Sequence, residues 1–233
     1  MTPLGITFDE ERHTYKDFGL RIKSISIGMP EVKENKIEIP GADGYLDLTD
    51  TFGTRYENRE IKIECDLEDK SYEKWAADVS SMANYLHGKK RKLVLDWDYG
   101  YYYVGRGELE PEKGNRRYSE VKLTFDCEPY KYEFTASDEE WLWDLFNLEN
   151  GVIREYANLT VNGSLKMTVI GSPMSTEPKI IASAAMTVEY EGETYQLDAG
   201  ENYLPEVEIT EGEHTMTFTG NGTVSVSYRG GSL

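Results

Sequence analysis

Two runs of this chain repeat with a period of two and a third breaks that period, and this contrast restricts the fold more than any other feature. Ile61, Ile63 and Cys65 occupy alternate positions, as do Leu123, Phe125 and Cys127. That is the pattern of strands with one buried face. Tyr72, Trp75, Val79, Met82 and Leu86 instead fall at spacings of 3, 4, 3 and 4, which puts all five on one helical face. Ser71 is placed to cap this helix, although Lys74 stands where a full capping box would hold Glu. Gly88 supplies the left-handed residue beyond its end, and Lys89 and Lys90 suit the negative end of its dipole. A lone helix with an aromatic stripe must cover a sheet, so the stripe is read as core.

Other alternating runs predict strands at 6–8, 20–27, 36–39, 45–48 and 59–67 before the helix. After it they predict strands at 93–97, 101–109 and 118–127, with turns at Asp98-Tyr99-Gly100 and at 111–115. Residues 36–48 read as strand, tight corner, strand. Pro40 presets the first central position of a turn, Gly41 takes the positive φ of the second, and Ala42-Asp43-Gly44 re-aims the chain.

From 135 onward the texture is all β. Asn150-Gly151, Asn162-Gly163 and Asn221-Gly222 are hairpin signals, and Glu191-Gly192 is a weaker one. Strands are expected at 153–161, 165–170, 180–190, 207–209, 215–219 and 223–228, the texture of a β-sandwich. Ser137 and Glu140 match a capping box ahead of Trp141, but a strand is the preferred reading there.

Charge divides the chain in the same place. Residues 1–134 hold 21 Lys and Arg against 27 Asp and Glu, whereas residues 135–233 hold 4 against 16. The domain boundary is expected there, giving 1–134 and 135–233. A net charge of −18 speaks against nucleic acid or an anionic membrane as a specific partner. No apolar run is long enough to span a bilayer, and the opening residues lack the apolar stretch of a secretory signal. Folding is therefore expected in a reducing cytoplasm, with Cys65 and Cys127 as small core residues rather than a disulfide.

The residues that carry chemistry elsewhere do not assemble here. His13, His87 and His214 are scattered and match no metal-binding spacing, and His87 is expected to face solvent at the helix end. Asp96 and Asp98 flank Trp97 beside Tyr99, Tyr101, Tyr102 and Tyr103, a pair that a glycosidase reading would favour. A hairpin tip explains them more simply. Asp43, Asp47 and Asp50 lack the ligand spacing of a calcium loop. Lys89, Lys90, Arg91 and Lys92, with Arg116 and Arg117, are the basic clusters, and subunit contact or solvation is the preferred reading. No cofactor or metal is expected.

Asp17-Phe18-Gly19-Leu20, then Ile39-Pro40-Gly41-Ala42-Asp43-Gly44-Tyr45-Leu46-Asp47, then Tyr56-Glu57-Asn58-Arg59-Glu60-Ile61 form an ordered series. It resembles the N-terminal domain of siphophage distal tail (Dit) proteins, of the baseplate or tail-tip hub, over residues 5–70 and onward to 134. Its signature residues are Phe18, Gly19, Pro40, Gly41, Asp43, Gly44, Asn58 and Arg59. Trp141, Trp143 and the C-terminal Ser227-Tyr228-Arg229-Gly230-Gly231-Ser232-Leu233 fit such proteins more loosely.

The resemblance implies a mostly β protein. An N-terminal α+β ring domain, with antiparallel sheets and one helix, would precede a C-terminal galectin-like β-sandwich. It implies a structural protein and no enzyme. Six copies would form a ring joining the tail tube to the hub or tail fibre and the receptor-binding, host-adhesion apparatus at the virion tail tip. The rival readings are a carbohydrate-binding module for cell-surface polysaccharide, with Trp141 and Trp143 stacking sugars, and a tail-tube subunit.

Overall fold

The computed structural model describes residues 3–49, 51, 54–67, 71–98, 100–115, 118–140 and 151–233. Among the described residues the fold is mostly β with one α-helix, and the chain divides into two compact units, 1–97 with 103–129, and 98–102 with 130–233.

The first unit is an antiparallel sheet built from β1 (Ile6–Phe8), β2 (Arg12–His13), β3 (Leu20–Ile27), β6 (Arg59–Leu67), β7 (Lys90–Leu95), β8 (Tyr101–Lys113) and β9 (Ser119–Cys127). Its spatial order is β2-β1-β7-β8-β9-β6-β3. The alternation seen in sequence is the alternation of burial: along β6 and β9 every second residue is buried. Ile61, Ile63, Cys65, Val121, Leu123, Phe125 and Cys127 all lie at 1% exposure or less. Burial pushes both thiols up to about 12, so each stays protonated as a packing group, and both are free.

Helix α1 (Tyr72–Leu86) lays Met82 and Leu86 into this core, with Trp75 and Val79 packed at its margin. Tyr72, at the outer end of the stripe, is half exposed. The Ser71 side chain accepts from the Lys74 N–H at 3.1 Å, so the cap forms without the Glu of a capping box. At the other end the cation that meets the helix carbonyls is Arg91, not Lys89 or Lys90. Its Nε and Nη2 donate to the Tyr85 carbonyl at 3.0 and 2.8 Å.

The second unit starts with Tyr101 and Tyr102 of β8, paired with β10 (Lys131–Glu133), which also pairs β17 (Gly231–Ser232). Its main sheet holds β11 (Leu159–Gly171), β12 (Lys179–Ala182), β13 (Met186–Tyr190), β14 (Glu193–Leu197), β15 (Gly200–Tyr203) and β16 (Gly212–Ser227). β11 pairs along its whole length with 212–224 of β16. On its other side β16 takes β13 against 216–219 and β12 against 224–227. The strands of this all-β domain share one core that includes Val161, Val188, Phe218 and Val226.

Several expectations are corrected here. Asn162-Gly163 and Asn221-Gly222 do not reverse the chain; they sit mid-strand and face each other, Asn162 opposite Asn221 and Gly163 opposite Gly220. The strands expected at 165–170 and 215–219 therefore run on through them. A Cβ on Gly220 would lie 2.6 Å from Met186 Cβ, and one on Gly222 would lie 2.5 Å from Ser183 Oγ. These glycines admit the close passage of the β12–β13 connection rather than a turn. The weaker signal is the true hairpin: Glu191 (φ 50°) and Gly192 (φ 88°) form the two-residue turn between β13 and β14.

The run 180–190 is split in two, 153–158 is not a strand, and Ile209 makes only an isolated bridge to Thr176. β7 ends at Leu95 rather than 97, and β8 runs through Pro111 to Lys113. Residues 137–140 are neither strand nor helix. Ser137 Oγ is spent on β16, donating to the Val226 carbonyl at 2.7 Å and accepting from the Tyr228 N–H at 2.8 Å. Asn150 and Trp141 lie outside the described residues.

Candidate functional site

Between β3 and β6 the first unit extends an arm whose tip is β4 (Lys36–Glu38) paired with β5 (Tyr45–Asp47). The arm is a narrow ladder from root to tip. The Gly28 N–H donates to the Glu60 carbonyl at 2.8 Å, Glu57 to Glu31 at 2.8 Å, Lys33 to Arg55 at 2.8 Å and Leu48 to Asn35 at 2.8 Å. At the tip, the Ala42 N–H donates to the Ile39 carbonyl at 3.1 Å across Pro40-Gly41. Gly41 and Gly44 have φ of 86° and 77°, as the turn chemistry requires. Asp47 Oδ1 accepts from the Thr49 N–H at 2.9 Å, and the Thr49 side chain first, its N–H second, hold the Asp47 carboxyl below the usual carboxylate range.

Every residue of β4 and β5 is exposed. Cross-strand pairing sorts them onto two faces. Ile37 and Leu46 stand opposite one another on one face; Lys36, Glu38, Tyr45 and Asp47 occupy the other, with the Lys36 ammonium 4.5 Å from the Tyr45 ring centre. Ile37 and Leu46 are 50% and 47% exposed, Ile39 48%, and Met29 nearer the root 75%. A two-stranded ribbon with an uncovered apolar face is marginal alone and gains stability by docking.

The signature residues gather at three places. Pro40, Gly41, Asp43 and Gly44 form the tip. Asn58 and Arg59 stand at the root, where Asn58 Nδ2 donates to Asp126 Oδ1 at 3.0 Å. Arg59 is 2% exposed and lies 5.6 Å from the Tyr103 ring centre. Burial lowers its proton affinity, and its Nε and Nη2 have no hydrogen-bond partner among the described residues. Phe18 and Gly19 belong to the core margin: Phe18 packs on Tyr85 at 5.8 Å, and Gly19 ends a turn at φ 67°. Sequence order carried the arm but not its exposure.

The other candidates are occupied. Lys90 pairs with Glu128, Arg91 with Asp9 at 2.6 Å and Lys92 with Glu10 at 3.6 Å, so three of the four cations of the basic run are paired within their own unit. Asp96 accepts from the Gly5 N–H at 2.8 Å and pairs with His13 at 3.1 Å, while Asp98 pairs with Lys131 at 2.9 Å. His13 Nδ1 accepts from the Tyr15 and Lys16 N–H groups, so its proton sits on Nε2, toward Asp96. His87 is exposed, and its Nδ1 accepts from the Leu109 N–H at 3.1 Å. Trp141, Trp143, Asp50, Arg116 and Arg117 lie outside the described residues. Among the described residues no cluster of His, Cys, Asp or Glu could hold a metal ion, and no helix is long and apolar enough to cross a membrane.

Comparison with known proteins gives two likenesses. The model of the phage tail protein RIFT-related domain matches residues 9–127. The crystal structure of the Dit protein (gp 19.1) of phage SPP1, described as a paradigm of the hub adsorption apparatus in phages infecting Gram-positive bacteria, superposes with a TM-score of 0.67. That likeness covers 99% of both chains at 14% identity, and so concerns the fold. No curated protein sequence matches the chain.

Proposed function

Because the chain belongs to the phage tail protein family defined by the RIFT-related domain, we propose that it works as a distal tail protein. Six copies would close into a ring through residues 1–134, with residues 135–233 as a peripheral domain. One face of the ring would dock on the tail tube, the other on the hub or fibre that carries the receptor-binding protein, at the tip of the virion tail. Self-assembly, not catalysis, is the activity, and neither nucleic acid nor membrane is a specific partner.

The arm at 28–58 carries this reading. Its apolar face is exposed, and among the described residues its hairpin has no third strand. Docked on the next copy, the arm would cover Ile37 and Leu46, and repetition around a closed ring leaves no arm unmatched. The pairing of Lys90, Arg91 and Lys92 with acids of their own unit agrees with a ring through which DNA passes without being held. Light scattering and negative-stain images of the purified chain should show a hexamer, or a concentration-dependent approach to one. The double substitution Ile37→Ser with Leu46→Ser should leave a folded monomer. A wild-type chain that stays monomeric at high micromolar concentration, with no rings in micrographs, would sink the proposal.

A further inference from the structure

Among the described residues β11 is the longest strand with a free side and pairs only with β16, in an unbroken register from Ser164 to Gly171. The last residues fix which way its backbone points. The Ile170 N–H donates to the Tyr156 hydroxyl at 3.2 Å, and the Ile170 carbonyl accepts from Arg154 Nε at 3.0 Å and from the Tyr228 hydroxyl at 2.7 Å. Ile170 therefore turns its backbone groups away from β16. In an antiparallel ladder alternate residues share that direction, so Thr168, Lys166 and Ser164 present theirs outward as well. Among the described residues nothing meets them.

Two side-chain features say what would complete this edge. Leu165 and Met167 belong to the margin of the second core and are only half buried, so apolar residues at alternate positions of an incoming strand would cover them. Lys166 is the odd cation of the unit. Of the four Lys and Arg in 135–233, Arg154 pairs with Glu133, Lys179 with Glu201 and Arg229 with Glu139, whereas Lys166 has no acidic partner among the described residues. A lone edge lysine repels casual strand pairing and rewards a partner with a carboxylate opposite it. A second copy is a poor occupant, since each copy brings 16 acids against 4 cations in this half of the chain.

We propose that the edge of β11 from Ser164 to Thr168 accepts an extended segment of another protein as an added strand, with alternating apolar residues and a carboxylate set opposite Lys166. This is β-augmentation: backbone bonds give the affinity, and Lys166 sets register and choice. The site is independent of ring closure and is tested without it.

The probe is an end-capped peptide of alternating Thr and Val with one central Glu, titrated into the full-length chain and followed by amide NMR shifts. Saturable shifts confined to 164–168 and the strands beside them are expected. A peptide with Lys at its centre should bind about fivefold more weakly, the scale of exchanging an attractive for a repulsive cross-strand pair. Lys166→Glu should invert that preference. Lys166→Pro removes one outward N–H, which an edge tolerates, so it should melt as wild type does yet bind neither peptide. If that variant fails to fold, the charge inversion alone decides. Absence of shifts, shifts elsewhere, equal affinity for both peptides, or self-association through this edge would each overturn the proposal.

Discussion

Two hairpins of this chain share an alternating pattern and a left-handed glycine at the turn, and have opposite fates. The β4–β5 hairpin turns through Pro40-Gly41 and Gly44, with every strand residue exposed. The β13–β14 hairpin turns through Glu191-Gly192, and β13 buries Met186, Val188 and Tyr190. In both, alternation and a left-handed glycine make the hairpin. What differs is the neighbour: β13 lies against β16, with Val188 opposite Phe218, while among the described residues the arm has no third strand. Local chemistry specifies a hairpin, and only the next strand determines whether its alternation means core or interface.

The comparison breaks most readily where that neighbour is removed. Phe218 is fully buried. Phe218→Ala should lower the unfolding free energy by about 3–5 kcal/mol, the usual cost of truncating a packed aromatic. Urea titration followed by far-UV circular dichroism would show it. A loss below about 1 kcal/mol would mean that β13 does not depend on β16 and that the contrast is wrong.

The turns sharpen it further. Gly192 has φ of 88°, so Gly192→Val should cost about 1–3 kcal/mol through backbone strain, visible as a lower melting temperature of the second unit. Tyr190 adds a pH test. Its hydroxyl donates to the Glu208 carbonyl at 2.7 Å, and burial pushes its pKa up to about 12. The unfolded hydroxyl titrates near 10. The stabilisation is therefore complete below pH 10 and is lost as pH rises through 12, at up to about 1.4 kcal/mol per pH unit. Thermal melts at pH 8 and 11 should show the second unit weakened, and Tyr190→Phe should flatten that dependence.

Much of the first unit was legible in the sequence because its strands obey one rule each. β3, β6 and α1 end where periodicity and capping place them: burial alternates along the whole of β6 and along β3 on either side of an irregularity at Ile22–Ser24, and Ser71 caps the start of the helix. The second unit was less legible because its strongest turn signals serve another purpose. Asn-Gly marks a hairpin only when the flanking runs pair with each other, whereas residues 162–163 and 221–222 belong to two strands that pair with one another across the molecule. The short strands β2, β10 and β17 carry too few residues for any period to show. As for the site, Pro40, Gly41 and Gly44 announced a corner. Whether Ile37 and Leu46 were covered was not written in local pattern, because exposure depends on strands that arrive from elsewhere.

The smallest expected effect is the most discriminating. Gly41 has φ of 86°, close to that of Gly192, and a Cβ there would meet nothing within 4 Å. Valine should strain both backbones alike. At Gly192 the strain is transmitted, because β13 and β14 cannot leave without exposing Val188 and Leu197. At Gly41 the tip can open at little cost, because every residue of β4 and β5 is already exposed. Gly41→Val should therefore change the melting temperature of the first unit by no more than a surface substitution does, within about 0.5 kcal/mol. It should instead speed amide exchange at 36–47, since the arm then opens on its own. A large drop in melting temperature would show that the arm is packed on its own chain, and that its apolar face is not held in reserve for another copy.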